Sequence, residues 1–293
     1  MGIGEKFQTF CSNLAISQDN RSTISDRYKA ITKRLNKDYY NSESDTLHSY
    51  YIGSFGRGTA ISKFSDLDMI FILPASVYYR INQYVTNGQS ALLQEIKSSI
   101  YKTYSSTRIG ADGIVVEVGF SDNIIFEVVP VFENQSKTYT HPVAGNGGSW
   151  KAFDPISEIT SISGLDSQLN GNVKRLGKMV RSWVDFCNVP MGGLLIDTFV
   201  YNFLKDYSER GKGYLYYDWF TRDFFYNLMN QKSDQSYWVA PGSNQYVYRK
   251  GPFEYKAKLA YNRALEAIEN EKNGFEWSAN VKWREIYGYS FPS

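Results

Sequence analysis

Gly53-Ser54-Phe55-Gly56-Arg57-Gly58-Thr59-Ala60-Ile61-Ser62-Lys63-Phe64-Ser65-Asp66-Leu67-Asp68-Met69-Ile70-Phe71-Ile72-Leu73 is the stretch whose reading decides the fold. Its end, Met69 to Leu73, is a short apolar run rich in large residues, the pattern of a buried strand. Alternate residues of a strand share a face, so Asp66 and Asp68 point together and Leu67 points away. Two carboxylates side by side repel each other and attract divalent cations. The glycines upstream allow the backbone to approach a ligand closely, and amide N–H groups in such a turn cradle phosphate. A triphosphate with its metal ions fits this pattern.

Outward from that stretch, two further strands are expected at Gly113–Phe120 and Ile124–Phe132, joined by Ser121-Asp122-Asn123. Each carries one carboxylate in an apolar run, Glu117 and Glu127, and a buried carboxylate is costly unless something pairs with it. One of the two is a candidate third metal ligand. Upstream, Ile24, Tyr28, Ile31, Leu35 and Tyr39 recur at helical steps and predict a long amphipathic helix from Ser22 to about Tyr40, capped by Ser22 or Thr23. Residues 1–18 give only a weak helical signal, and Pro74–Tyr79 reads as a turn. Tyr84–Tyr104 reads as a second helix. Asn134–Ser163 is polar and Gly-rich and reads as a long loop lining a pocket, where Trp150 either stacks on a base or anchors the loop.

From Leu169 onward the pattern turns helical: Val173, Leu176, Val180 and Trp183 mark one face, with Lys178 and Arg181 nearby. Leu194–Tyr207, 216–230 and 253–270 follow as helices, and Ser233–Gly251 reads as loop. The chain is therefore expected to be α+β, mixed in its first half and helical in its second, with the boundary near residue 160.

The 293 residues are 42% hydrophobic and 21% charged, a globular composition, and the net charge of +2 argues against a general nucleic-acid coat. Cys11 and Cys187 are too few for a disulfide framework, and with His48 and His141 as the only histidines a zinc cluster is almost excluded. No run is apolar enough to span a bilayer, so a soluble, cytoplasmic protein without membrane contact is expected.

The site reads as one for nucleotidyl transfer, in which a hydroxyl attacks the α-phosphorus of a nucleoside triphosphate and pyrophosphate leaves. A P-loop does not fit, because the Gly-Lys-Ser/Thr ending is missing, nor does an EF-hand, for want of its acidic spacing. Asp66, Asp68 and Glu127 are the candidate catalytic residues and metal ligands. Gly53, Ser54 and Arg57 in the turn, with Lys178 and Arg181 on the later helix, are the candidate nucleotide contacts. Both histidines are expected to pack rather than catalyse.

The turn Gly53-Ser54-Phe55-Gly56-Arg57-Gly58-Thr59 with Ser65-Asp66-Leu67-Asp68 resembles the signature of the CD-NTases, the cGAS/DncV-like nucleotidyltransferases of bacterial CBASS anti-phage systems, within the polymerase β-like superfamily. Phe126-Glu127-Val128-Val129-Pro130 is similar to the family's third-carboxylate strand, with Glu127 where Asp is usual. Lys178-Met179-Val180-Arg181-Ser182-Trp183 and Gly193-Leu194-Leu195-Ile196-Asp197 resemble two of its helical segments, with Arg181 at a usual lysine and Asp197 in place of a longer acid. Trp283 to Gly288 with Phe291-Pro292 resembles its tail.

The resemblance implies a polymerase β-like fold: residues 1–160 as the catalytic lobe, with a mixed sheet and a long helix, and 161–293 as a helical lobe closing over the nucleotide site. It implies synthesis of a cyclic di- or trinucleotide second messenger from NTPs, supported by two Mg²⁺ ions for which Mn²⁺ substitutes. The implied partners are a separately encoded nucleotide-activated effector and, in some systems, a regulatory or conjugating protein. Transfer of nucleotides to RNA or protein, and a nucleotide sensor with weak catalysis caused by Glu127, remain the alternatives.

Overall fold

In the computed structural model, which describes residues 1–63 and 66–293, the apolar run after Asp66 is the second strand of a seven-stranded mixed sheet. Ser65 of the quoted motif lies outside the described residues. In chain order the elements are α1 (Ile3–Asn13), α2 (Gln18–Tyr40), β1 (Ser49–Tyr51), α3 (Gly53–Gly56), β2 (Asp66–Ile72), α4 (Ala75–Ile81), α5 (Gly88–Tyr101), β3 (Arg108–Asp112), β4 (Val115–Gly119), β5 (Ile125–Glu133), β6 (Tyr139–Val143) and β7 (Ser149–Phe153). The later half adds α6 (Pro155–Gln168), α7 (Asn172–Phe186), α8 (Gly193–Asp206), α9 (Tyr217–Met229), β8 (Tyr237–Val239), β9 (Tyr246–Tyr248), α10 (Glu254–Lys272) and α11 (Glu276–Tyr287).

The chain divides into two compact units. One comprises Ser17–Gly56 and the described part of 64–156; the other comprises Met1–Ile16, Arg57–Lys63 and Ser157–Ser293. In the first, the strands run in the order β1-β2-β5-β4-β3, and β6 and β7 extend the sheet from the far end of β5. β2 and β5 are parallel and every other pairing is antiparallel. Leu67, Met69, Phe71, Phe126, Val128, Val116 and Val118 are all fully buried on one face. Each such side chain contributes about 1.5–3 kcal/mol by leaving water. The amphipathic helix α2 buries Ile24, Ile31 and Leu35, and its Tyr39 and Tyr40 rings lie 6.4 and 6.3 Å from Phe71.

In the second unit, α1 and the tail share one aromatic core: the Phe7 ring is 5.2 Å from both Trp283 and Phe291. Ala257, Ala260, Ala264 and Ala267 line the buried face of α10, and their small size lets α9 and α11 pack close to it.

Several local expectations are corrected. α1 exists because Phe7 and Phe10 dock into this core, a tertiary gain that a weak local pattern does not reveal. α2 starts at Gln18, four residues before the expected Ser22, because the Ser17 hydroxyl accepts from Asn20 N–H at 3.2 Å. Pro74 caps α4 rather than making a turn, and the second helix starts at Gly88 instead of Tyr84. The Asn134–Ser163 segment is a β6–β7 hairpin followed by α6, and Ser233–Gly251 holds the β8–β9 hairpin. β6–β7 lies at the margin of the seven-stranded sheet and β8–β9 is a two-stranded sheet of its own, so half-exposed residues are tolerated and alternation fades. Trp150 anchors its hairpin: its ring is 5.1 Å from Tyr78 and 5.6 Å from Phe132, and its Nε1–H donates to Asn82 at 3.3 Å.

If the tail closes the helical core as the Phe7, Trp283 and Phe291 contacts indicate, Phe291→Ala lowers unfolding free energy by about 3–5 kcal/mol, read by urea denaturation.

Candidate active site

Parallel pairing of β2 with β5 places Asp68 directly opposite Glu127, with Asp66 two residues earlier on the same face of β2. Residues in register across a sheet point to the same side, so the three carboxylates are neighbours and all are half-buried. Burial pushes the Glu127 carboxyl up to about 7, and the charges of Asp68 and Asp66 and a hydrogen bond with Asp68 add to that. The hydrogen bond between protonated Glu127 and Asp68 is a sign of crowded carboxyl groups. Among the described residues no three His, Cys, Asp or Glu side chains already converge as a metal cage. The donor set nonetheless fits a hard divalent cation in its chemistry, because oxygen-only carboxylates under mutual repulsion gain from one.

The Gly-rich turn is built around one of these carboxylates. Gly53 has φ +59° and opens the single turn α3; a Cβ there would stand 1.7 Å from Asp68 Oδ2. Glycine is thus required both by the left-handed backbone and by the approach of the Asp68 side chain. Ile52 N–H donates to the Asp68 carbonyl at 2.9 Å, and Gly56 N–H to the Ile52 carbonyl at 2.8 Å, which ties the turn to the strand. Ser54 is half-buried on this turn, in the same unit as the carboxylates.

Arg57 and Arg181, expected at the nucleotide, are both ion-paired within the second unit. Arg57 Nε donates to Asp197 Oδ2 at 2.7 Å and its Nη1 to Glu158 Oε2 at 3.2 Å. Arg181 donates to both Asp197 oxygens, at 2.6 and 2.8 Å, and to the Gly193 carbonyl at 2.9 Å. Thr59 donates to Asp197 at 3.0 Å, and Ser243 to Glu158 at 3.0 Å. All four charged side chains are at least nine-tenths buried, and two guanidiniums balance two carboxylates. Burial alone would raise the Asp197 carboxyl, but the Arg181 and Arg57 charges outweigh it and hold it below its ordinary value. The role of Asp197, open from the sequence, is to hold Arg57 and α7 together. A buried lone acid four residues into an apolar helix was the available signal. Lys178 lies half-buried on α7, one turn before Arg181.

The histidines pack as expected. His48 stacks on Tyr40 at 3.7 Å, and His141 lies edge-on to Phe153 at 4.9 Å. Both cysteines are free. No described helix is long and apolar enough to cross a membrane.

Residues 1–165 match the model of the Second Messenger Oligonucleotide or Dinucleotide Synthetase domain. The chain belongs to that family, the CD-NTases, nucleotidyltransferases that make cyclic oligonucleotides. It is 22% identical over 263 residues, 81% of this chain and 74% of the relative, to a probable cyclic nucleotide synthase of Bacillus cereus (strain VD146). Among solved structures it is similar to CdnC of E. coli MS115-1 in its complex with HORMA-deltaN, at a TM-score of 0.72 and 13% identity, covering 99% of this chain and 98% of that one. It is also similar to the Vibrio cholerae di-nucleotide cyclase DncV, at a TM-score of 0.68 and 11% identity over 96% and 93% of the two chains. The CD-NTase CdnG of Bradyrhizobium diazoefficiens, solved with GTP, matches at 0.66 and 10% identity over 98% and 95%. The polymerase β-like α+β fold expected from the sequence is therefore the fold observed.

Two outcomes follow from this geometry. Because the Glu127 carboxyl is raised in the folded state, its contribution to metal-free stability is full below about pH 4.5 and is lost as pH rises through about 7. Urea titrations at pH 5 and pH 8 therefore show a fall in stability that Glu127→Gln removes. Asp197→Asn leaves two buried guanidiniums short of charge and costs about 3–5 kcal/mol at neutral pH. Since its carboxyl is depressed, the wild-type advantage over Asp197→Asn is present above about pH 4 and disappears as pH falls below it.

Proposed function

We propose that this synthase is metal-dependent and uses Asp66, Asp68 and Glu127 to hold two Mg²⁺ ions, with Mn²⁺ able to replace them. The observation that carries the reading is the β2–β5 register, which makes Glu127 the direct neighbour of Asp68. The ions, once bound, neutralise the triphosphate and lower the barrier to charge building on the leaving pyrophosphate. Asp66 and Asp68 face the substrate from the start of β2. The amides of the Gly53 turn and the Ser54 hydroxyl bind the β- and γ-phosphates, and Gly53 keeps the turn close to Asp68. Glu127 orients the attacking hydroxyl of a second nucleotide. In each round an O–P bond forms at the α-phosphorus, the bond to pyrophosphate breaks, and the hydroxyl proton leaves to solvent. A final round within the chain of nucleotides closes a cyclic di- or trinucleotide.

In this reading residues 1–160 supply the chemistry. Arg57 and Arg181 act instead through the Asp197 network, as positioning residues. NTPs are the substrates, and a separately encoded effector that binds the cyclic product is the downstream partner in anti-phage signalling. The complex of CdnC with HORMA-deltaN supports a second, regulatory partner, separate from that effector. The conserved architecture across the CdnC, DncV and CdnG structures supports the fold on which this reading rests.

Incubation with all four NTPs and Mg²⁺ or Mn²⁺, followed by phosphatase and mass spectrometry, is expected to yield a phosphatase-resistant cyclic product. Asp66→Asn and Asp68→Asn reduce its rate by about 10³-fold or more, the scale of losing a charge-stabilising group. Label entering RNA or protein would point to the first alternative, and triphosphate binding without pyrophosphate release to a sensor.

A further inference from the structure

β4 and β3 continue the sheet outward from Glu127, and their residues on the carboxylate face have no place in the chemistry above. Glu117 on β4 stands opposite Glu127, and Gly110 on β3 stands opposite Glu117. One step along, Arg108 is opposite Gly119, which is opposite Ile125. Neither glycine is needed by the backbone: neither has a positive φ, and a Cβ on either would approach no atom closer than 3.8 Å. What they leave is room. Arg108, Gly110, Glu117, Gly119 and Ile125 line a shallow cavity of about 70 Å³, suited to the edge of one planar ring.

Glu117 and Arg108 are both exposed. Among the described residues neither side chain makes a hydrogen bond or an ion pair. A second carboxylate beside Glu127 repels phosphate, so a ribose or a base stands there more favourably than a triphosphate. Adjacent strands are about 5 Å apart, which puts Glu117 one strand and Arg108 two strands, about 10 Å, from Glu127. The base of a nucleotide whose hydroxyl lies at Glu127 falls within that span.

We propose that Glu117 and Arg108 read the base of the acceptor nucleotide and select guanine, an inference that rests on Glu127 orienting the attacking hydroxyl. A carboxylate accepts from guanine N1–H and the N2 amino group together, and a guanidinium donates to O6 and N7 as a fork. Adenine fits neither group fully: it presents an N1 acceptor to the carboxylate, and to the guanidinium an N6 amino donor where guanine has O6, keeping only the N7 acceptor. The glycines let the ring edge lie against the sheet between the two.

Equilibrium titration of the full chain with GMP and with AMP tests this, since neither monophosphate needs the triphosphate cradle. Each well-made base contact carries about 1–3 kcal/mol of discrimination, so GMP is expected to bind tighter than AMP by on the order of tenfold or more. Glu117→Gln and Arg108→Ala each collapse that gap, and Glu117→Asp keeps part of it. Mass spectrometry of the wild-type product is expected to show guanosine. Equal binding of the two monophosphates, a gap untouched by both variants, or a product without guanosine overturns the inference. Pyrophosphate release by the wild-type chain separates the two levels. Its absence with every NTP counts against the proposed reaction, whereas a normal release with no guanine preference counts against the base assignment alone.

Discussion

The parallel pairing of β2 with β5 fixes everything at the candidate site. Once Asp68 lies opposite Glu127, alternation sends Asp66, Asp68 and Glu127 to one face and Leu67, Met69, Phe126 and Val128 to the other. A one-residue slip of β2 would turn Leu67 and Met69 out of the core and Asp66 and Asp68 into it. The hydrophobic core under α2 and α5 thus pins the register, and the register gathers the charges. Stability in this unit comes from the apolar face, and the repulsion on the opposite face is its cost.

The second unit meets charge differently. Asp197, Glu158, Arg57 and Arg181 are buried with their hydrogen bonds largely satisfied inside the protein. Removing two ions of each sign from water is expensive, and well-packed apolar residues often serve stability equally well. What such a network supplies is position: Arg57 and Thr59, directly after the Gly-rich turn in sequence, are bound through Asp197 to α7 and α8. Gly177 makes this possible, since a Cβ there would press on Thr59 Cγ2 at 3.1 Å.

Much of this was legible in the sequence, and what was missed has physical reasons. Asp-Leu-Asp before an apolar run carries strand, face and charge in a few letters, and Glu127 stood out as a carboxylate inside a second such run. The long helix α2 announced itself through its periodicity. β3, β6, β7 and the β8–β9 hairpin did not, because marginal strands such as Arg108–Asp112 need only one or two buried residues. The ion pairs of Arg57 and Arg181 were illegible for a different reason. A cation next to a phosphate-binding turn suggests a phosphate partner, and only the folded chain shows that Asp197, 140 residues later than Arg57, claims both.

The central claim is that the β2–β5 register gathers Asp66, Asp68 and Glu127 into a site for divalent cations, where their crowding raises the Glu127 carboxyl. Calorimetric titration of the full chain with Mn²⁺ at pH 7, repeated in buffers of different ionisation enthalpy, measures it directly. The account predicts binding coupled to proton release, because burial and the neighbouring carboxylates raise the Glu127 carboxyl, and predicts that Glu127→Gln abolishes the release. Mn²⁺ binding with no proton release, or release that persists in Glu127→Gln, would contradict it.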